Sequence, residues 1–138
     1  MDPRAADLLA RPIIGQLAFL GLDGYPRVIP VWFEYRAGEL LIASPPATYK
    51  GRALSTDGRA ALSVSTVQRP YLIASAVGDA TVEPLAEPER IEFVSAIALR
   101  YLGPEGARRY LEVWSKGGHP GDGEMIRLQP RKVHFSTS

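Results

Sequence analysis

Residues 48–64 read TYKGRALSTDGRAALSV, and this stretch passes from one kind of local order to another. Thr48 is a good helix N-cap, and Ala53 and Leu54 can pack inward from one or two helical turns. Asp57-Gly58 then turns the chain into RAALSVST, where Ala60, Leu62 and Val64 alternate with Ala61, Ser63 and Ser65. That alternation is a strand with one buried face. Lys50, one of only three lysines against thirteen arginines, stands two residues before Arg52. The Thr48 hydroxyl, the first backbone donors of the helix and these two cations have the makings of an anion grip. Spacing alone leaves that reading open against ordinary solvated charge, the commoner state of Lys and Arg.

Outward from this stretch the chain alternates strands and tight turns. On its N-terminal side, Asp2 to Arg11 reads as a short helix capped by Asp2, with Pro3 in its first turn and Pro12 ending it. IIGQLAFLGL (13–22) and RVIPVWFEYR (27–36) flank DGYP as a hairpin. Pro30 removes a backbone donor and points to an edge strand or a bulge. LLIAS (40–44) makes a third strand of a meander, which Pro45 and Pro46 end. On the C-terminal side, YLIASAVGDATVE (71–83) is a long strand bent at Gly78-Asp79. From Pro88 the period becomes helical, and Gly103-Pro104 closes one helix and opens another. Tyr101, Tyr110 and Trp114 fall on helical faces and read as packing residues. After the loop KGGHPGDGE (116–124), EMIRLQ and RKVHFST form one kinked strand or two short ones around Pro130. His119 in that loop reads as a solvated histidine, and His134 as an exposed strand residue. The helices cluster instead of alternating with strands, which argues against a doubly wound sheet. A small antiparallel barrel of about six strands, with helices outside, is expected. Its interior is too small for a large ligand, which places the site on the outer surface or between two copies.

Composition narrows the function. A chain of 138 residues suits a single domain, 1–138. A formal charge of +1 gives no general attraction to nucleic acid or acidic membranes. The absence of cysteine removes disulfides and thiolate chemistry, and two histidines leave little material for a metal site. The start of the sequence lacks the features of a signal peptide, and no apolar run approaches the ~20 residues of a membrane span, so a soluble cytoplasmic protein is expected. Glycine-rich phosphate motifs and the GxSxG of hydrolases are missing. No catalytic side chain is identified, and the chemistry is expected to belong to a bound cofactor.

From about Leu8 to Phe135 the order of elements, with its PVWFEY strand, its K-G-R-A-L segment, its D-G-R-A-A-L-S-V strand and its final P-R-K-V strand, resembles the pyridoxamine-phosphate-oxidase-like split barrels that bind flavins. It is most similar to the branch that uses FMN or the deazaflavin coenzyme F-420, in which a PVWF-type strand precedes K-x-R-N-L-x-x-D-P-R-V-A-L-x-V. Ala53 and Gly58 stand where that pattern has Asn and Pro. The resemblance implies a mainly β fold, a six-stranded antiparallel split barrel with peripheral helices. It also implies a homodimer with the cofactor in a groove between subunits. Carried onto this chain, Thr48, Lys50 and Arg52 would hold the phosphate, with Tyr49 nearby. Ile29, Pro30, Val31, Trp32, Ala43 and Ser44 would line the ribityl chain and ring, and Gln68 and Arg69 would reach the same groove. Arg27, Arg36 or Arg69 would meet the acidic tail of F-420. The implied activity is hydride transfer to or from a small organic substrate, with F-420 preferred over FMN. Pyridoxamine-phosphate oxidase itself fits less well, because Tyr49 stands where an arginine is expected and the C-terminal arginine motif is missing. The competing expectation is a non-catalytic split barrel that binds a cofactor or haem.

Overall fold

The computed structural model describes residues 1–117 and 122–138. In chain order its elements are α1 (Pro3–Leu9), β1 (Gly15–Leu20), β2 (Pro26–Val31), β3 (Glu34–Arg36) and β4 (Glu39–Ser44). There follow α2 (Tyr49–Thr56), β5 (Arg59–Ser65), β6 (Leu72–Leu85), α3 (Glu89–Lys116) and β7 (Gly123–Thr137). The strands form one antiparallel sheet in the order β2-β1-β5-β6-β7-β4-β3.

Seven strands replace the six expected, because residues 27–36 are not one strand. They break at Trp32-Phe33 into β2 and β3, which occupy opposite edges of the sheet. The expected meander therefore does not form: β2 pairs with β1, β3 with β4, and β4 with β7. Two linking residues let Val31 and Glu34 stand at most ~11 Å apart. Seven flat strands would separate their edges by roughly 29 Å. The sheet must therefore roll until its edges adjoin, and the roll stays open because β2 and β3 share no ladder.

α3 covers that seam. The Tyr101 hydroxyl accepts the Phe33 N–H at 3.1 Å and donates to the Ile13 carbonyl at 2.9 Å. Its neighbour Arg100 donates to the carbonyls of Leu9, Ala10 and Arg11 at 2.9, 3.0 and 2.6 Å, tying down the end of α1. A backbone donor on a missing ladder is thus satisfied by a side chain. α3 breaks once, at Gly103 (φ 73°) before Pro104, where the sequence places the junction of two helices.

Alternation fills the inside of the roll. Leu17, Leu40, Ile42, Leu62, Val64 and Leu128 are fully or almost fully buried there, with Phe33 among them. The register shifts between Val77 and Gly78, opposite Pro130, leaving Arg131 as the extra residue of a bulge. A β-carbon on Gly78 would collide with the Gln129 carbonyl, so the bend needs glycine. β7 runs through Pro130 as a single strand. A second, smaller apolar cluster lies outside the sheet, where Leu41, Phe93 and Ile97 pack with Trp32, Leu85 and Tyr101. Among the described residues no helix is long and apolar enough to cross a membrane.

Candidate functional site

The site begins where β4 hands over to α2. Thr48 takes the extended conformation of an N-cap, and its hydroxyl accepts the Gly51 N–H at 3.2 Å. The Ser44 and Thr48 hydroxyls lie 3.0 Å apart, and Ser44 also donates to the Pro45 carbonyl. Both hydroxyls are therefore committed to fixing α2 against the end of β4.

Beside this junction, the sheet, α2 and α3 border a half-open cavity of about 340 Å³. Pro30, Val31, Trp32, Ala43, Ser44 and Lys50 line it, as the sequence leads one to expect. The other expected site residues lie elsewhere. Ile29 packs against the inner core. Tyr49 points to the β1–β2 turn, where its hydroxyl accepts the Leu22 N–H at 2.9 Å. The guanidinium groups of Arg27 and Arg52 stand 5.5 and 5.7 Å from its ring centroid. Residues two apart on a helix are ~200° apart around its axis, and Lys50 and Arg52 accordingly face different ways. The two cations expected to share one phosphate do not converge within one chain.

Gln68 and Arg69 are exposed in the β5–β6 turn. Ser65 at that end pairs with Ile73, whereas Glu124 at the cavity pairs with Pro84, roughly 35 Å further along β6. Within one chain they do not reach this cavity. Arg36 is paired with Glu34 at 2.7 Å near the β3–β4 turn, away from the Ser44 end of β4. His134 is exposed on β7, and His119 lies outside the described residues.

Of the lining residues that the sequence reading did not assign to the site, four are aromatic or charged. Tyr110 and Trp114 wall the cavity from α3, beyond simple packing. Trp32 stacks on Tyr101 at 5.2 Å between ring centroids, 9° from parallel, and meets Tyr110 at 5.4 Å. Arg90 is buried, with its guanidinium 5.2 Å from the Trp114 centroid and a 3.0 Å bond to the Asp122 carbonyl. Glu124, the second residue of β7, lines the cavity. Its Oε1 is shielded from solvent and has no hydrogen-bond donor. A β-carbon on Gly51 would come within 2.8 Å of that oxygen, so glycine in the first turn of α2 makes room for the carboxylate.

Burial pushes the Lys50 ammonium below its ordinary pKa, and the nearby Glu124 carboxylate pulls it partly back. Lys50, Arg90 and Glu124 are the charged residues of the lining. Among the described residues no group of three or more His, Cys, Asp or Glu side chains is placed to hold a metal ion. Aromatic plates beside a half-buried ammonium suit a planar molecule that carries an anionic group.

An open rolled sheet with a ligand-sized cavity under a seam-covering helix defines a split-barrel protein. The sequence model of the pyridoxamine 5'-phosphate oxidase family matches residues 1–137, and the chain belongs to that family. Among solved structures it resembles the conserved hypothetical protein Rv2991 from Mycobacterium tuberculosis, at 21% identity and a TM-score of 0.76, over 99% of this chain and 84% of that one. An F-420 reductase matches at 21% identity over 93% and 94% of the two chains, with a TM-score of 0.58. A FAD-binding protein from Mesorhizobium loti matches at 20% identity over 100% and 95%, with a TM-score of 0.61. At these identities the likeness is one of fold. A search among curated proteins finds no match.

Proposed function

We propose that the protein is an oxidoreductase that binds a flavin-type cofactor, coenzyme F-420 in preference to FMN, and transfers a hydride to or from a small organic substrate. One observation carries this reading. A half-buried lysine and a wall of aromatic rings share a cavity of about 340 Å³, within the range of small-molecule sites. Lys50 would hold the phosphate, while the backbone of residues 30–32 and 43–44 would run along the ribityl chain and ring. Trp32 and Tyr110 would keep water from the ring face. When bound, the cofactor supplies the ring atom that gives or takes the hydride. The chain's share is orientation and exclusion of solvent.

In this reading the protein works as a homodimer. Gln68 and Arg69 would reach the groove from the second copy, and Arg27 and Arg52, both beside the Tyr49 ring, would meet the acidic tail of F-420. Fluorescence titration with F-420 and with FMN tests the proposal. Micromolar FMN binding without an F-420 response would move the assignment to FMN. A Soret band on adding haem, with neither cofactor bound, would replace the enzyme by a haem-binding protein.

A further inference from the structure

We infer that Glu124 makes the cavity selective for a phosphodiester over a phosphate monoester. The inference rests on the reading above, in which the cofactor phosphate meets Lys50. Glu124 is held by two ladders, opposite Ser44 on β4 and Pro84 on β6, so its backbone is fixed. Its side chain is equally confined, because Oε1 fills the space left by the missing β-carbon of Gly51. No donor draws that oxygen elsewhere. The carboxylate and Lys50 therefore face the same cavity, and each acts on the other electrostatically.

An incoming phosphate meets an ammonium whose charge is already partly answered. A monoester carries about −1.5 to −2 charge at neutral pH, whereas a diester has lost one ionisable oxygen and carries a single negative charge. Repulsion from Glu124 scales with that charge, and it is strongest in a site removed from water. With Lys50, Arg90 and Glu124 together in the lining, a diester brings the net charge of the filled cavity to about zero, and a monoester leaves an excess of negative charge. F-420 joins its tail through a diester, and FMN ends in a monoester. Glu124 thus gives the preference for F-420 a physical cause that is independent of the ring.

FMN and its monomethyl phosphate ester differ in this charge and share one ring, which makes them the deciding probes. Both, together with F-420, are titrated into the wild-type protein and into Glu124→Gln by fluorescence, with melting temperatures recorded for each protein. The wild type should bind the methyl ester more tightly than FMN. Glu124→Gln should raise FMN affinity on the order of tenfold and that of the two diesters about three- to fivefold. FMN binding to the wild type at least as tightly as its ester overturns the inference without reference to any variant. An unchanged FMN-to-ester ratio in a folded Glu124→Gln overturns it while leaving the cofactor reading intact. Failure of all three ligands to bind either protein removes both.

Discussion

The inside of the rolled sheet and the layer between its outer face and α3 are both apolar, but they are built from different side chains. Inside, Leu17, Leu62, Ala74, Ala76 and Ile126 interlock as small aliphatic groups from neighbouring strands, the kind of packing that approaches crystal density. Outside, Trp32, Tyr101 and Tyr110 meet as plates, and Lys50, Arg90 and Glu124 stand beside them. Branched aliphatics fill space from all sides, while among the plates Tyr101 is pinned at its edge by hydrogen bonds to Phe33 and Ile13. The first region supplies stability, and the second spends some of it to hold a charge in a cavity.

That contrast breaks if the inner layer tolerates truncation. Leu62→Ala should lower unfolding free energy by about 2 to 5 kcal/mol in urea titrations, with cofactor affinity per folded molecule unchanged. Lys50→Ala should do the reverse. It should weaken binding of the phosphate cofactor by about 1.5 to 3 kcal/mol with the fold intact, and unaltered affinity would remove Lys50 from the phosphate role. Tyr101→Phe lies at the boundary of the two regions. It should cost about 1 kcal/mol, because the Phe33 N–H and the Ile13 carbonyl lose their shared partner. The smallest effect is expected from pH. Burial holds the Lys50 pKa below the ordinary 10.5, so the unfolded chain binds this proton more tightly than the folded one. The buried charge therefore costs stability below the folded-state pKa, and the cost fades as pH rises toward 10.5. Lys50→Met should raise the melting temperature at pH 7 and flatten the gain seen in the wild type toward pH 10.

The parts of the fold legible in the sequence are those decided by near neighbours. Thr48 as a cap, the β5 alternation, Pro30 on an edge strand and the Gly78 bend all follow from local stereochemistry. The break at Trp32-Phe33 was hidden because Val31, Phe33 and Tyr35 keep alternating through it, with no Gly or Pro at the break itself. Closure of the whole sheet, a tertiary effect, divides that run. The site was half legible for the same reason. Lys50 and the β2 and β4 residues follow from the resemblance to the family's sequence pattern, whereas Arg90 and Glu124 arrive by pairings with distant strands and a buried helix face. Glu124 carries no periodic signal, since it directly follows a glycine-rich stretch of sequence. The divergence of Lys50 and Arg52 is legible in helical spacing, since residues two apart on a helix face different ways.

Trp32 and Phe33 together span the seam, one facing the cavity and the other wholly buried in the core. Loss of one residue at this dipeptide would swap the destinations of everything from Glu34 onward along β3. Gain of one would do the same, whereas gain of two would keep the alternation and lengthen the rim of the cavity. Variation in ligand size among proteins of this architecture should therefore concentrate in paired additions at the crossing, which preserve the alternation while enlarging the space beneath α3.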